Sequence, residues 1–177
     1  MKNSIFGKFV IFILILFKLY AQVEEAELKA VILLRICQFT SWTHEVDAEI
    51  THEKKYKIGV IGDKEIYGAF RDKVLKQEGF NSSEVTFIRS AEQLDDISVL
   101  FIGNMKKTAF RKWMKLLEDK SMLIFVDDRD LFKAGGVVLL ERDGDYIRFD
   151  VDQAEAQKRG LRISSRVLKL ARSVVFE

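Results

Sequence analysis

Proline is absent from this 177-residue sequence, and cysteine occurs only once, at Cys37. Average usage would supply about eight or nine prolines. The chain also has no Ser- or Gly-rich linker and no internal repeat, so nothing marks a second domain. A single cysteine cannot form an intramolecular disulfide. For Cys37, the alternatives are a redox sensor, an intermolecular bridge, or a small buried residue. Its place on an apolar helix favours the last.

The motifs of common catalytic and metal sites are also missing. His44 and His52 are the only histidines, and they lack a Cys or Glu-x-x-His partner for zinc. The sequence has no G-x-S-x-G elbow, no Walker A lysine and no G-x-G-x-x-G fingerprint. We therefore predict no catalytic residue, no metal site and no cofactor.

The N-terminus carries the features of an export signal. Lys2 and Lys8 precede the apolar run 9–17, and the small residue Ala21 follows. Nine apolar residues are too few to cross a bilayer as a helix, which needs about 20, but they suit a secretory signal. We predict a signal peptide over residues 1–21, an α/β domain over 22–177 and a periplasmic location. The alternative is an uncleaved membrane anchor.

The C-terminal stretch "KRGLRISSRVLKLARSVVFE" is rich in basic residues. A helical wheel places Ile163, Val167, Leu168, Leu170, Ala171, Val174 and Val175 on one arc, and Arg162, Arg166, Lys169 and Arg172 on the other. This pattern predicts an amphipathic helix that covers a core and has a solvated basic face. Removing residues 1–21 changes the formal net charge from +2 to −1, which argues against nucleic-acid binding. The alternative is that the basic arc binds the surface of anionic membranes.

Apolar strands alternate with helical patterns along the chain. "IGVI", "VLFI" and "LIFV" are near-continuous apolar runs, typical of a parallel sheet covered on both faces. Asp143-Gly144 then predicts a two-residue turn between "GVVLLE" and "YIRFDV". We therefore predict a single-domain α/β sandwich with a mostly parallel sheet flanked by helices. A C-terminal antiparallel hairpin and an amphipathic helix complete it, with Asp152 and Ser164 capping the last two helices.

Polar or flexible residues follow three of the predicted strands. They are Gly62, Asp63, Asn104, Asp127 and Asp128. Ligands bind beyond the carboxyl ends of strands in open α/β sheets, so these residues form our candidate ligand pocket. The alternative is that they only make turns and helix caps, for which Gly, Asn and Asp are also preferred.

The first predicted helix spans about 24–40. Its apolar face consists of Leu28, Val31, Ile32, Ile36 and Phe39, with the stem of Arg35. Phe39 and Trp42 lie in "QFTSWT" at the end of this helix. Exposed, they would anchor a protein partner, because aromatic residues are enriched at interface hot spots. Buried, they would supply core area, and we favour this interpretation.

Several blocks of the sequence resemble the YfiR-like family of small exported regulators. They include "AVILLRICQFTSWT", "KIGVIGDKEIYGAF" and "VLFIGN". The most specific block is "LIFVDDRDLFKAGGVVLLERDGDYIRFDVDQAEAQKRGLRISSRVLKLARSV". Its family-like positions are Asp127, Phe132, Gly135-Gly136, Phe149, Ala154, Gly160-Leu161, Ser164-Ser165, Leu168, Leu170 and Ala171.

The resemblance implies a non-catalytic periplasmic regulator. Such proteins dock on the periplasmic part of an inner-membrane diguanylate cyclase, or of a histidine kinase, and hold it inactive. Release of the cyclase raises cyclic di-GMP and favours biofilm formation. Phe39, Trp42, Gly135 and Gly136 are the candidate partner-binding residues, with the chain acting alone or as a homodimer. The alternative for Gly135-Gly136 is that the pair only permits a tight turn or close packing. The family's cysteine pairs are absent, which argues against redox sensing within the monomer. The alternative function is a periplasmic small-ligand sensor or enzyme that uses the strand-end pocket.

Overall fold

The computed structural model describes residues 25–43, 55–77, 80, 82–103 and 105–176. The predicted signal peptide, both histidines and Asn104 lie outside these ranges. Nine strands are present in the described part of the chain, and they are β1 (Thr40–Trp42), β2 (Lys57–Ile61), β3 (Glu84–Phe87), β4 (Val99–Ile102), β5 (Leu123–Val126), β6 (Val138–Asp143), β7 (Tyr146–Asp152), β8 (Leu161–Ile163) and β9 (Ser173–Val175).

Six α-helices are found in the same ranges. They are α1 (25–38), α2 (Lys64–Asp72), α3 (Lys107–Leu116), α4 (Arg129–Phe132), α5 (Gln153–Lys158) and α6 (Ser165–Leu170). Short 3₁₀ turns cover Val74–Lys76 and Ala91–Leu94. Asp152 and Ser164 cap α5 and α6 as predicted: each side chain accepts a backbone N–H bond, from Glu155 and Arg166 respectively.

The described residues form a seven-stranded sheet in the order β3-β2-β4-β5-β6-β7-β9. The five strands from β3 to β6 are mutually parallel, and β7 returns antiparallel to β6. The central strands β4 and β5 are buried along their whole length, because helices cover both faces of a parallel sheet. The predicted α/β sandwich and hairpin are confirmed.

The C-terminal segment differs from the prediction. The final helix exists but ends at Leu170, and the chain then forms β9, which pairs in parallel with β7. Leu170, predicted to face the core, is 77% exposed. Arg172, predicted to lie on a solvated face, bonds to Asp150. Short apolar runs fit a strand as well as a helix, and pairing with β7 decides for the strand.

Two smaller predictions also need correction. The hairpin turn is Gly144-Asp145 rather than Asp143-Gly144, because Asp143 pairs with Tyr146 in the ladder. Along α1 and at its end, Leu28, Arg35 and Phe39 were predicted to face the core, but all three are exposed. The buried face instead carries the small residues Ala26 and Ala30 and continues through Leu33, Leu34 and Cys37.

A two-stranded antiparallel sheet joins the two ends of the domain. β1 pairs with β8, with Thr40 opposite Ile163 and Trp42 opposite Leu161. This contact was not predicted, because each strand has only three residues and too little pattern to identify. It fixes the end of α1 against the C-terminal segment.

Candidate functional site

The carboxyl ends of β2, β4 and β5 meet at one edge of the large sheet. These three strands are neighbours in the order β2-β4-β5. From β2 the chain goes to β3 on one side and then to β4 on the other, so the strand order reverses between β2 and β4. A crevice opens at such a reversal, because successive connections leave toward opposite faces.

A cleft of about 670 Å³ occupies this edge. Its walls come from α1, from the loops after β2, β4 and β5, and from the start of α2. The lining residues are Glu25, Ala26, Lys29, Gly62, Asp63, Lys64, Glu65, Ile66, Phe87, Met105, Asp127 and Asp128. Four of the five predicted pocket residues therefore line one cavity. The fifth, Asn104, lies outside the described residues, and its role stays a prediction.

Asp63 and Asp128 both cap helices. One carboxylate oxygen of Asp63 accepts backbone N–H bonds from Glu65 and Ile66, each at 2.9 Å. Asp128 does the same at the start of α4. These bonds satisfy N–H groups that have no partner within the helix. The capping role is thus real for both residues, and each keeps a second oxygen.

Asp127 has a different environment, which depends on α1. The Lys29 ammonium lies 2.7 Å from Glu25 Oε1 and 3.7 Å from Asp127 Oδ2. Arg142 from the hairpin also reaches Glu25 at 3.3 Å. Sequence reasoning missed Glu25 and Lys29. Their i,i+4 spacing indicates a helix pair, but nothing local shows that the pair faces the end of β5.

Burial and charge shift the two carboxylates in opposite directions. Burial raises the pKa of Asp127, and repulsion from Asp63 and Asp128 adds to it, against the attraction of Lys29. Burial alone would also raise the pKa of Glu25, but hydrogen bonds and charge from Lys29 and Arg142 outweigh it and lower that pKa. Asp127 is therefore the less well compensated carboxylate.

The predicted partner-binding aromatics separate in the structure. Trp42 is 8% exposed, and its ring centroid lies 6.3 Å from that of Tyr56. The side chain of Phe39 is 42% exposed. Its backbone is held on both sides, because Phe39 N–H donates to Ile36 O and Phe39 O accepts from Ser164 N–H. The structure thus presents Phe39 on a fixed backbone and places Trp42 beneath the surface.

Gly135 and Gly136 end the α4 turn before β6. Gly135 has φ +121°, and a Cβ atom there would lie 2.9 Å from Met114 Cε. A Cβ atom at Gly136 would lie 2.8 Å from Val126 Cγ2. Backbone conformation therefore favours glycine at position 135, and close packing favours it at position 136. Gly135 also borders a second cavity of about 250 Å³ beside Glu155 and Arg159. The predicted role of the two glycines in partner binding stays a prediction.

The family model described as YfiR/HmsC-like matches residues 26–172, which is most of the chain. The chain belongs to the YfiR/HmsC-like family. Members of this family are known as periplasmic regulators. None of the curated proteins matches this YfiR/HmsC-like chain.

One solved structure with a TM-score above 0.5 shares the fold of this YfiR/HmsC-like chain at low sequence identity. A conserved domain protein from Vibrio cholerae O1 biovar El Tor has a TM-score of 0.54 and 10% identity, and the match covers 67% of this chain and 54% of that one. The ABC domain in complex with L-Trp from Streptococcus pneumonia has a TM-score of 0.49 and 12% identity, over 68% and 55%. The chain thus spans about half the length of each.

Two further observations concern metals and membranes. Within the described ranges of this YfiR/HmsC-like chain, no group of three or more His, Cys, Asp or Glu side chains is placed to hold a metal ion. In the same ranges, no helix is both long and apolar enough to cross a membrane.

Proposed function

We propose that this YfiR/HmsC-like protein is an exported, non-catalytic regulator that docks on the periplasmic part of an inner-membrane diguanylate cyclase or histidine kinase. Family membership supports a regulatory role. The apolar run 9–17 at the N-terminus supports export. Docking would act by inhibition, because a protein that binds the inactive conformation of its partner more tightly shifts the partner toward that state.

The observation that carries this proposal is the exposed Phe39 side chain on a backbone fixed at both ends. An aromatic side chain displayed on a rigid backbone loses little conformational entropy when it is buried in an interface. Trp42 supports the same segment from below through its contact with Tyr56. Phe39 is therefore the proposed anchor, and Trp42 holds the segment in position.

Deletion of the gene tests this function in cells. We expect deletion to raise cyclic di-GMP if the partner is a diguanylate cyclase, or to raise phosphorylation of the response regulator if it is a histidine kinase. Complementation with the full-length gene should restore the original level. Unchanged cyclic di-GMP together with unchanged kinase output would count against the proposal.

A second candidate function is the sensing of a small ligand in the strand-end cleft. The cleft volume of about 670 Å³ lies within the range of small-molecule sites, about 300–1,000 Å³. Its position at the strand-order reversal also favours ligand binding. A ligand that binds the folded state raises the melting temperature, so a thermal-shift screen of the purified protein tests this function without the docking partner.

A further inference from the structure

The lining of the strand-end cleft carries an excess of negative charge. Its acidic residues are Glu25, Asp63, Glu65, Asp127 and Asp128, and its basic residues are Lys29 and Lys64. Five carboxylates face two ammonium groups, so the formal charge of the lining is −3. A cleft with walls of low dielectric focuses this field, which attracts cations and repels anions.

The charges inside the cleft are unevenly neutralised. Lys29 lies closer to Glu25 than to Asp127, at 2.7 Å against 3.7 Å. Glu25 also forms an ion pair with Arg142, at 3.3 Å. The side chain of Asp127 is only 19% exposed. Its nearest cation, Lys29, is bound more closely by Glu25. Asp63 and Asp128 stand close enough to raise the pKa of Asp127 further by repulsion. An additional cation beside Asp127 would offset this repulsion.

The cleft suits an organic cation better than a bare metal ion. Of the described residues, no three carboxylates converge closely enough to hold a metal, whereas Mg²⁺ and Ca²⁺ need several oxygen ligands at 2.0–2.6 Å. The remaining wall is apolar and includes Ile66, Phe87 and Met105. Apolar wall and carboxylates in one cavity of about 670 Å³ fit a molecule with an apolar body and a charged amine.

We propose that the cleft binds a small organic amine, with its ammonium group among Asp63, Asp127 and Asp128 and its apolar part against Phe87 and Met105. This inference rests on the second candidate function, ligand sensing, and is independent of partner docking. It adds the charge class of the ligand to that function.

Three probes of similar size and different charge test the proposal. They are phenethylammonium, neutral 2-phenylethanol and anionic 3-phenylpropionate, each titrated into the purified protein by calorimetry and by thermal shift. The variants are Asp127→Asn, which removes one carboxylate of the site without changing its shape, and the matched control Asp145→Asn in the exposed hairpin turn. Magnesium chloride alone serves as a further ligand.

We expect phenethylammonium to bind and stabilise the protein, with 3-phenylpropionate at least tenfold weaker. Its affinity should fall about tenfold in Asp127→Asn and stay unchanged in Asp145→Asn, because only the first carboxylate meets the ammonium. If no probe binds, the amine proposal fails, and the thermal-shift screen decides ligand sensing separately. If the anionic or neutral probe binds as tightly, or if magnesium alone binds better, only the amine assignment fails. Equal affinity in the two variants would also overturn it.

Discussion

Arg172, directly before β9, and Asp150, on the neighbouring strand β7, form a bidentate ion pair. Arg172 Nε donates to Asp150 Oδ1 at 2.9 Å, and Nη2 donates to Oδ2 at 2.7 Å. The Asp150 side chain is only 2% exposed. Burial alone would raise its pKa, but hydrogen bonds from Arg172 and Ser173, together with the charges of Arg172 and Arg129, outweigh burial and lower it. The pair thus holds β9 against β7.

Removal of this clamp should destabilise the domain. In Arg172→Met, Asp150 loses both guanidinium bonds, keeps Ser173 and the more distant Arg129, at 3.5 Å, and stays buried. Leaving a buried charge without its main partner costs about 3 kcal/mol. We expect urea unfolding to show a loss of that order, and the control Arg166→Met, at an exposed position of α6, to lose less than about 0.5 kcal/mol. Equal losses in the two variants would contradict a clamp.

Asp127→Asn should stabilise the protein at neutral pH. A carboxyl whose pKa is raised in the folded state favours its protonated form, so the folded state loses stability as pH rises through that pKa. The Asn side chain of the variant carries no charge and avoids this penalty, and Lys29 retains its ion pair with Glu25 at 2.7 Å. We expect a gain on the order of 0.5 kcal/mol at pH 7. The gain should vanish below about pH 4, where the wild-type carboxyl is protonated as well. Thermal unfolding at both pH values checks this sign.

Two Gly→Ala substitutions should have opposite effects. Gly135 has φ +121° and a contact of 2.9 Å from its added Cβ to Met114, so Gly135→Ala should cost about 1–3 kcal/mol. Gly68, inside α2, has open space around its added Cβ. Gly68→Ala should therefore stabilise by about 0.5–1 kcal/mol through helix propensity. Calorimetric melting of both proteins measures the difference, and the same sign in both would be inconsistent with this geometry.

The layered fold could be predicted from the sequence because its signals are local. The runs "VLFI" and "LIFV" are apolar throughout, as strands buried on both faces must be. Asp152 and Ser164 stand where helix caps are preferred. Arg172 shows where such reasoning fails. A helical wheel uses only residues that are close in the sequence. It cannot predict an ion pair between Arg172 and Asp150 on β7, 22 residues earlier.

The candidate cleft was partly predictable for the same reason. Gly62, Asp63, Asp127 and Asp128 follow apolar strands, and parallel strands end at one edge. Glu25 and Lys29 come from α1, whose predicted buried face included Leu28 and Arg35, both of which are exposed in the structure. The observed buried face of α1 is rotated about the helix axis relative to the predicted one. The contact of Lys29 with Asp127 therefore could not be predicted. Only the packing of α1 against the sheet reveals it.

Phe39→Ser should weaken docking more than it weakens the fold. The residue is 42% exposed, so the substitution removes a partly buried side chain and should cost on the order of 1 kcal/mol of stability. A hot-spot aromatic costs about 2 kcal/mol or more in binding when it is truncated, which is roughly a 30-fold loss of affinity. Leu116→Ser on α3, at 54% exposure, serves as the control. Both variants should lose a similar, small amount of stability and should be exported at the level of the wild type. Only Phe39→Ser should fail to complement the deletion.

Co-purification from chemically crosslinked cells is the most direct test of the regulatory function. The exported protein carries an affinity tag, and proteins bound to it are identified by mass spectrometry with the wild type, Phe39→Ser and Leu116→Ser in parallel. We predict an inner-membrane diguanylate cyclase or histidine kinase bound to the wild type and to Leu116→Ser, and strongly reduced with Phe39→Ser. Failure to recover any such membrane protein, with all three forms exported at equal levels, would contradict the proposed function.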